Sequence, residues 1–212
     1  MDYSVHNGYR VSVNGFWDSK MARPQEFDTQ QVLRKAMAVF WQKGFEATSL
    51  TDLMAATGLS KSSLYGSFGD KRELFLAAFD VYRQDRKRDM LNLLGVHPAR
   101  DGIVSFYQSL FANLDTLAAH NGCMSVNQAV EMAPRDLKVK AMVADDFSTI
   151  HEVLTAAIKR GQQDGSVKNL SEAKDIASIL VLAFPGLQLM ARIGLGVEAM
   201  NKNLTILMAQ LD

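Results

Sequence analysis

The sequence predicts an all-α protein: an N-terminal head of three helices in a helix-turn-helix arrangement, followed by a larger helical body. Three observations carry that expectation. Apolar residues recur at helical spacing wherever the chain is readable, and beyond Gly69 no segment alternates in the manner of a strand. Start and stop signals fall at every helix boundary of the first third. Between Ser49 and Arg72, SLTDLMAATGLSKSSLYGSFGDKR, two short apolar-backed segments are joined at Gly58, where the chain must turn sharply.

The elements follow in order. Asp28 caps a first helix, with Gln31 three residues on and Phe27 and Val32 at the positions of a hydrophobic staple, and Gly44 stops it after Lys43. Ser49 with Asp52 has the spacing of a capping box for the second helix, Ser60 caps the third, and Asp70 with Glu73 opens the fourth. Leu50, Leu53 and Met54 face inward from the second helix, and Leu59, Leu64 and Phe68 from the third. Lys61, Ser62, Ser63, Tyr65 and Ser67 then face away. A short helix that is apolar behind and rich in donors in front suits the major groove of DNA.

These residues carry a resemblance. The stretch GFEATSLTDLMAATGLSKSSLYGSFGDKRELF resembles the DNA-binding region of the TetR family of transcriptional repressors. It shares the Gly-Phe at Gly44 and Phe45, Thr48 and Ser49 at the helix start, the turn around Ala55 and Gly58, and Leu64, Tyr65, Phe68 and Lys71. The likeness covers Asp28 to Phe79; the remainder is similar in architecture alone. It implies a homodimer that binds a palindromic double-stranded operator and is released by a small-molecule effector. It also implies phosphate contacts from Thr48, Tyr65 and Lys71, and contacts to base edges or nearby phosphates from Lys61, Ser62 and Ser63. Helix-terminal amides and an ammonium both attract phosphate oxygens, which supports those roles.

Composition sets independent limits. With 23 basic and 23 acidic residues among 212, the net charge is zero, so bulk positive charge cannot hold this chain on nucleic acid. The third helix carries only Lys61, and one copy should therefore bind weakly; two copies on two half-sites supply the missing affinity. Four His and one Cys never fall at a metal-ligand spacing, which excludes a zinc finger and leaves no metal or other cofactor to expect. A single Cys fits a reducing cytoplasm. Charged residues interrupting each long helix argue against a membrane span. No phosphate loop, nucleophile elbow or histidine metal motif points to an enzyme. The alternatives are a helical ligand-binding dimer without DNA binding and, further off, a helical enzyme.

Domain organisation reads as an unstructured extension over 1–20, a DNA-binding head over 21–70 and a ligand-binding and dimerisation body over 71–212. A basic arm ending in Lys20 and Arg23 that enters the minor groove is the other reading of the extension. In the body the fourth helix runs from Lys71 to Leu94, before Gly95 and Pro98. Further helices are expected over Asp101 to His120, Cys123 to Met132, Arg135 to Gly161, Ser171 to Ile193 and Val197 to Leu211.

The helix from Ser171 is apolar nearly all round, kinked by Pro185, and needs cover on more than one side. The resemblance makes the last two helices a four-helix dimer interface. Ile179, Leu182, Leu187, Arg192, Leu204 and Met208 are its candidates, with burial inside one subunit as the alternative. An effector pocket is implied on the middle helices, with Phe106, Phe111, Met124, Met132, Phe147, His151 and Met190 as candidate lining or, equally, ordinary core. Cys123 follows Asn121 and Gly122 at the first turn of a helix, where exposed amides favour the thiolate. The segment looks like the Gly-Cys element of a subgroup whose thiol senses electrophiles or oxidants; a buried small hydrophobe is the other reading.

Overall fold

The computed structural model describes residues 27–112 and 121–212, together with the backbone of two two-residue strands, Val5–His6 and Tyr9–Arg10, which pair antiparallel. Elsewhere the described residues form nine α-helices. The extension expected over 1–20 and the basic arm ending in Lys20 and Arg23 otherwise lie outside the described residues, as does the expected continuation of the helix from Asp101 to His120 beyond residue 112.

The head is α1 (Thr29–Lys43), α2 (Leu50–Thr57) and α3 (Lys61–Phe68). Its boundaries are chemical. The Asp28 carboxylate accepts the N–H groups of Gln30 and Gln31 at 2.9 and 3.3 Å. Ser49 and Asp52 close a reciprocal capping box, the Asp52 N–H reaching Ser49 Oγ at 3.1 Å and the Ser49 N–H reaching Asp52 Oδ2 at 2.9 Å. Ser60 Oγ accepts the Ser63 N–H at 3.2 Å. Gly58, at φ 76°, makes the left-handed turn between α2 and α3 that a side chain would strain.

Helix α4 (Lys71–Leu94) completes the head's core. Its Leu74, Phe75 and Phe79 are fully buried in one cluster with Val32, Ala36, Phe40, Leu53 and Leu64. Phe75 meets Phe40 edge-on at 5.2 Å between centroids and stacks on Phe79 at 5.7 Å. The far half of α4 enters a second cluster with α5 (Ala99–Ser109), α7 (Leu137–Asp164), α8 (Ala173–Arg192) and α9 (Val197–Met208), the last ending in a 3-10 turn, Ala209–Leu211. Between head and body lies α6 (Met124–Glu131). One helix thus carries both cores.

Several boundaries differ from the sequence reading. α5 begins at Ala99, because Asp164 Oδ2 accepts the Ala99 N–H and Ser166 Oγ accepts the Arg100 N–H, both at 3.2 Å, so its cap comes from the distant end of α7. α7 begins at Leu137, one residue after its cap Asp136, and runs to Asp164 instead of Gly161. α8 runs unbroken through Pro185. By length and composition α8 is also long and apolar enough to cross a membrane, against the expectation that charges interrupt each long helix. Its charges sit at its ends, and its Ile176, Ala177, Leu180, Phe184 and Leu187 are buried in the body core.

Candidate nucleic-acid interface and ligand cavity

Helix α3 presents Lys61, Ser62, Gly66 and Ser67 to solvent, while Leu64 is fully buried behind them. Ser62 and Ser63 both place their hydroxyls on Ser60 Oγ, at 2.9 and 3.0 Å, which groups three hydroxyls at the entrance to the helix. Lys61 forms no ion pair with the described residues and stands at the first position of α3. Tyr65 is half-buried, its ring packed against the head core. Lys71, at the first turn of α4, sits with its ammonium 4.6 Å from the centre of the Phe45 ring and donates to the Glu46 carbonyl at 3.5 Å. Among these are Lys61, Ser62, Ser63, Tyr65 and Lys71, to which the resemblance assigns DNA contacts.

Thr48 does not join them. Its side chain is 1% exposed, and its hydroxyl donates to the Gly44 carbonyl at 2.6 Å. The phosphate role that the resemblance implies therefore conflicts with the position of this hydroxyl, which ties the α1–α2 turn together instead. The exposed hydroxyls at the start of α2 belong to Ser49 and Thr51.

Behind the head a cavity of about 430 Å³ opens between α4, α5, α7 and α8. Phe106, Phe111 and Phe147 are among its lining residues, as is Cys123. Phe184 stacks on Phe106 at 6.0 Å and meets Phe147 edge-on at 6.4 Å, forming an aromatic wall. A polar wall faces it, in which Arg83 reaches Asp145 Oδ2 and Asp146 Oδ1 at 2.6 Å each. Burial raises the Asp146 carboxyl above the ordinary range; the Ser125 hydroxyl, donating at 2.6 Å, and Arg83 oppose that shift.

The remaining pocket candidates lie elsewhere. Met124 and Met132, 1% and 5% exposed, pack in the head's core. His151 joins α7 to α8, its Nε2 3.0 Å from both the Lys174 carbonyl and Ser178 Oγ. Met190 lies on the outer side of α8 with Leu182, Leu189 and Ile193. Trp41 and Tyr82 also line the cavity and were not singled out by the sequence: Trp41 directly follows a core residue of α1, and Tyr82 opens a charge-dense stretch of α4 that reads as a solvated face.

Cys123 caps α6 and is 8% exposed. Burial pushes its thiol up, against the expected lowering; the N–H groups of Val126 and Ser125 and the Tyr82 hydroxyl, donating to Sγ at 3.6 Å, pull the other way without winning. At the other end of α6, the Glu131 carboxylate accepts the Glu46 N–H at 2.9 Å. It also fills the space beside Gly44, where a β-carbon would meet its oxygens at 3.0 Å. α6 therefore spans from the cavity to the α1–α2 turn.

On α8 and α9 the interface candidates divide. Leu187, Leu204 and Met208 are 8%, 3% and 4% exposed and belong to the core of the single chain, so a partner could not reach them as the subunit stands. Ile179 and Leu182 face outward at 48% and 80% exposure, with Ile193 and Ile206. Arg192 is exposed and donates to Asn127 Oδ1 at 2.6 Å.

A short helix held proud of a closed core, with a cation and hydroxyls on its outer side and a ligand-sized cavity behind it, defines a helix-turn-helix transcriptional regulator. The chain belongs to the TetR family: residues 32–78 match the model of bacterial regulatory proteins of the tetR family, and residues 100–207 match the tetracyclin repressor-like C-terminal domain. It is 28% identical over 181 residues to the HTH-type transcriptional repressor ComR of Escherichia coli, covering 83% of this chain and 85% of that protein. It is 21% identical over 187 residues to the repressor NemR of the same organism, covering 87% and 94%. The regulator CifR, solved with 26-base-pair operator DNA as a cysteine mutant, superimposes with a TM-score of 0.77 at 26% identity, covering 88% of this chain and 98% of that one. The protein is a DNA-binding transcriptional regulator, a class distinct from the enzymes.

Proposed function

We infer that the protein is a repressor that binds a palindromic operator as a homodimer and leaves it when a small molecule fills the cavity or when Cys123 is modified there. The observation that carries the reading is the outer side of α3, where Lys61, Ser62 and Ser63 stand beside Tyr65 and, across the turn, Lys71. Tyr65 and Lys71 grip the phosphate backbone and set register, and the α3 hydroxyls and Lys61 reach base edges. Two such helices must meet major grooves one helical turn apart or a multiple of it, so any ligand that binds better to a wrongly spaced dimer draws the population off DNA. Phe106, Phe111 and Phe147 are the proposed effector contacts. The Cys123 thiol lines the same cavity, which offers a reagent a route to it. Its site of action is the cytoplasm, beside the DNA.

The test is fluorescence anisotropy on operator DNA recovered by in vitro selection from random duplexes. The selected sites should be palindromic, and Lys71→Ala should lower the slope of log K against log salt by about one. Absence of any selected sequence, or an unchanged slope, would overturn the interface.

A further inference from the structure

Trp41 belongs to the head, since it follows the fully buried Phe40 on α1, yet its ring forms part of the cavity wall. Its Nε1 donates to the Gly122 carbonyl at 2.9 Å, and its ring meets Tyr82 edge-on at 5.1 Å. Tyr82 in turn donates to Cys123 Sγ and accepts the Met124 N–H at 3.1 Å. Two aromatic side chains, one from the head, thereby hold the segment that enters α6. On the opposite wall Arg83 is paired with Asp80, Asp145 and Asp146, and Arg86 with Asp89 at 2.7 Å, while Lys87, also on the lining, forms no ion pair with the described residues.

We propose that Trp41 is a direct ligand contact, and that the cavity takes a flat aromatic molecule bearing a hydrogen-bond acceptor. The inference rests on the effector reading of the cavity. The ring lies against Trp41 and Tyr82, and its acceptor takes the indole N–H in place of the Gly122 carbonyl, because indole donates only one hydrogen bond. Gly122 loses its strut, α6 is released at its cavity end, and the Glu131 contact at its other end moves with it. The head thus senses the ligand through a residue of its own α1.

The chain holds two Trp, so Trp17→Phe leaves Trp41 as the sole indole. In that protein 2-acetonaphthone should change the emission of Trp41 saturably, and cyclohexyl methyl ketone should not. Trp41→Phe keeps a ring and removes the donor; it should still bind the selected operator but need about tenfold more naphthyl ketone for release. 2-Methylnaphthalene, lacking the acceptor, should act alike on both proteins. Failure of the naphthyl ketone to bind, binding by calorimetry without a change in Trp41 emission, or equal release of the Trp41→Phe variant would each overturn the proposal. If the ketone binds and moves the Trp41 emission while the parent stays on DNA, the contact stands and the effector reading under Proposed function falls.

Discussion

Gly66 is exposed on α3, and a β-carbon built there meets nothing within 4 Å, so packing inside the protein does not require glycine at this position. Glycine in a helix costs about 0.5–1 kcal/mol relative to alanine, a loss that is offset where something outside must approach the backbone closely. Gly66→Ala is therefore expected to raise thermal stability while weakening operator binding by about 1–3 kcal/mol, the range of an overpacked contact. Calorimetry and anisotropy on one preparation check both signs; unchanged DNA affinity would remove Gly66 from the interface. At this scale the sequence was readable where the chemistry is local. Asp28, Ser49 and Ser60 cap because their oxygens reach amides two or three residues ahead. The phosphate role of the Thr48 hydroxyl and the lowering of the Cys123 thiol do not follow the local pattern because burial decides both, by the core behind the α1–α2 turn for one and by Tyr82 of α4 for the other, while the reading of Cys123 as a buried small hydrophobe agrees with its 8% exposure.

Among the elements, α4 and α7 start side by side. Arg72 Nε donates to Asp136 Oδ2 at 2.7 Å and its second nitrogen to Oδ1 at 3.1 Å, while Asp136 Oδ1 also caps α7 through the Lys138 and Val139 amides. The Arg72 hydrogen bond, with the two amides adding to it, lowers the Asp136 carboxyl to about 2. An unfolded aspartate titrates near 3.9, so this contribution to stability is complete above about pH 4 and is lost as the pH falls toward 2. Asp136→Asn keeps a cap and should flatten that part of the stability profile, whereas Asp136→Ala should cost about 1 kcal/mol more by losing the cap as well. Denaturant titrations at pH 7 and pH 3.5 check this, and identical pH profiles for parent and Asp136→Asn would refute it. A lone Asp before a periodic run is a local cap signal, yet the sequence reading begins this helix at Arg135 and does not single out Asp136. The start of α5 has no local signal at all, because its amides find Asp164 and Ser166 some 65 residues later.

For the molecule as a whole, the sequence announced that α8 needs cover on more than one side but not which side faces outward, since apolar residues occupy nearly its whole circumference. The body core takes Ile176, Leu180, Phe184 and Leu187, and what is left on α8 is a stripe at helical spacing: Ile179, Leu182, Leu189 and Ile193. An exposed apolar stripe of this length marks an interaction surface, and the proposed homodimer on a palindromic operator would cover it with a second copy of the same stripe. A glutamate at position 182 would then be buried unpaired twice per dimer, at about 2 kcal/mol or more per copy. Leu182→Glu should accordingly sediment as a folded monomer with an unchanged melting profile at low concentration and lose most of its operator affinity. Leu187→Ala, by contrast, should cost the subunit about 2–5 kcal/mol through a cavity in its own core. A Leu182→Glu protein that remains a dimer in analytical ultracentrifugation would move the interface off this face, and the spacing of the two recognition helices would have to be set by another surface.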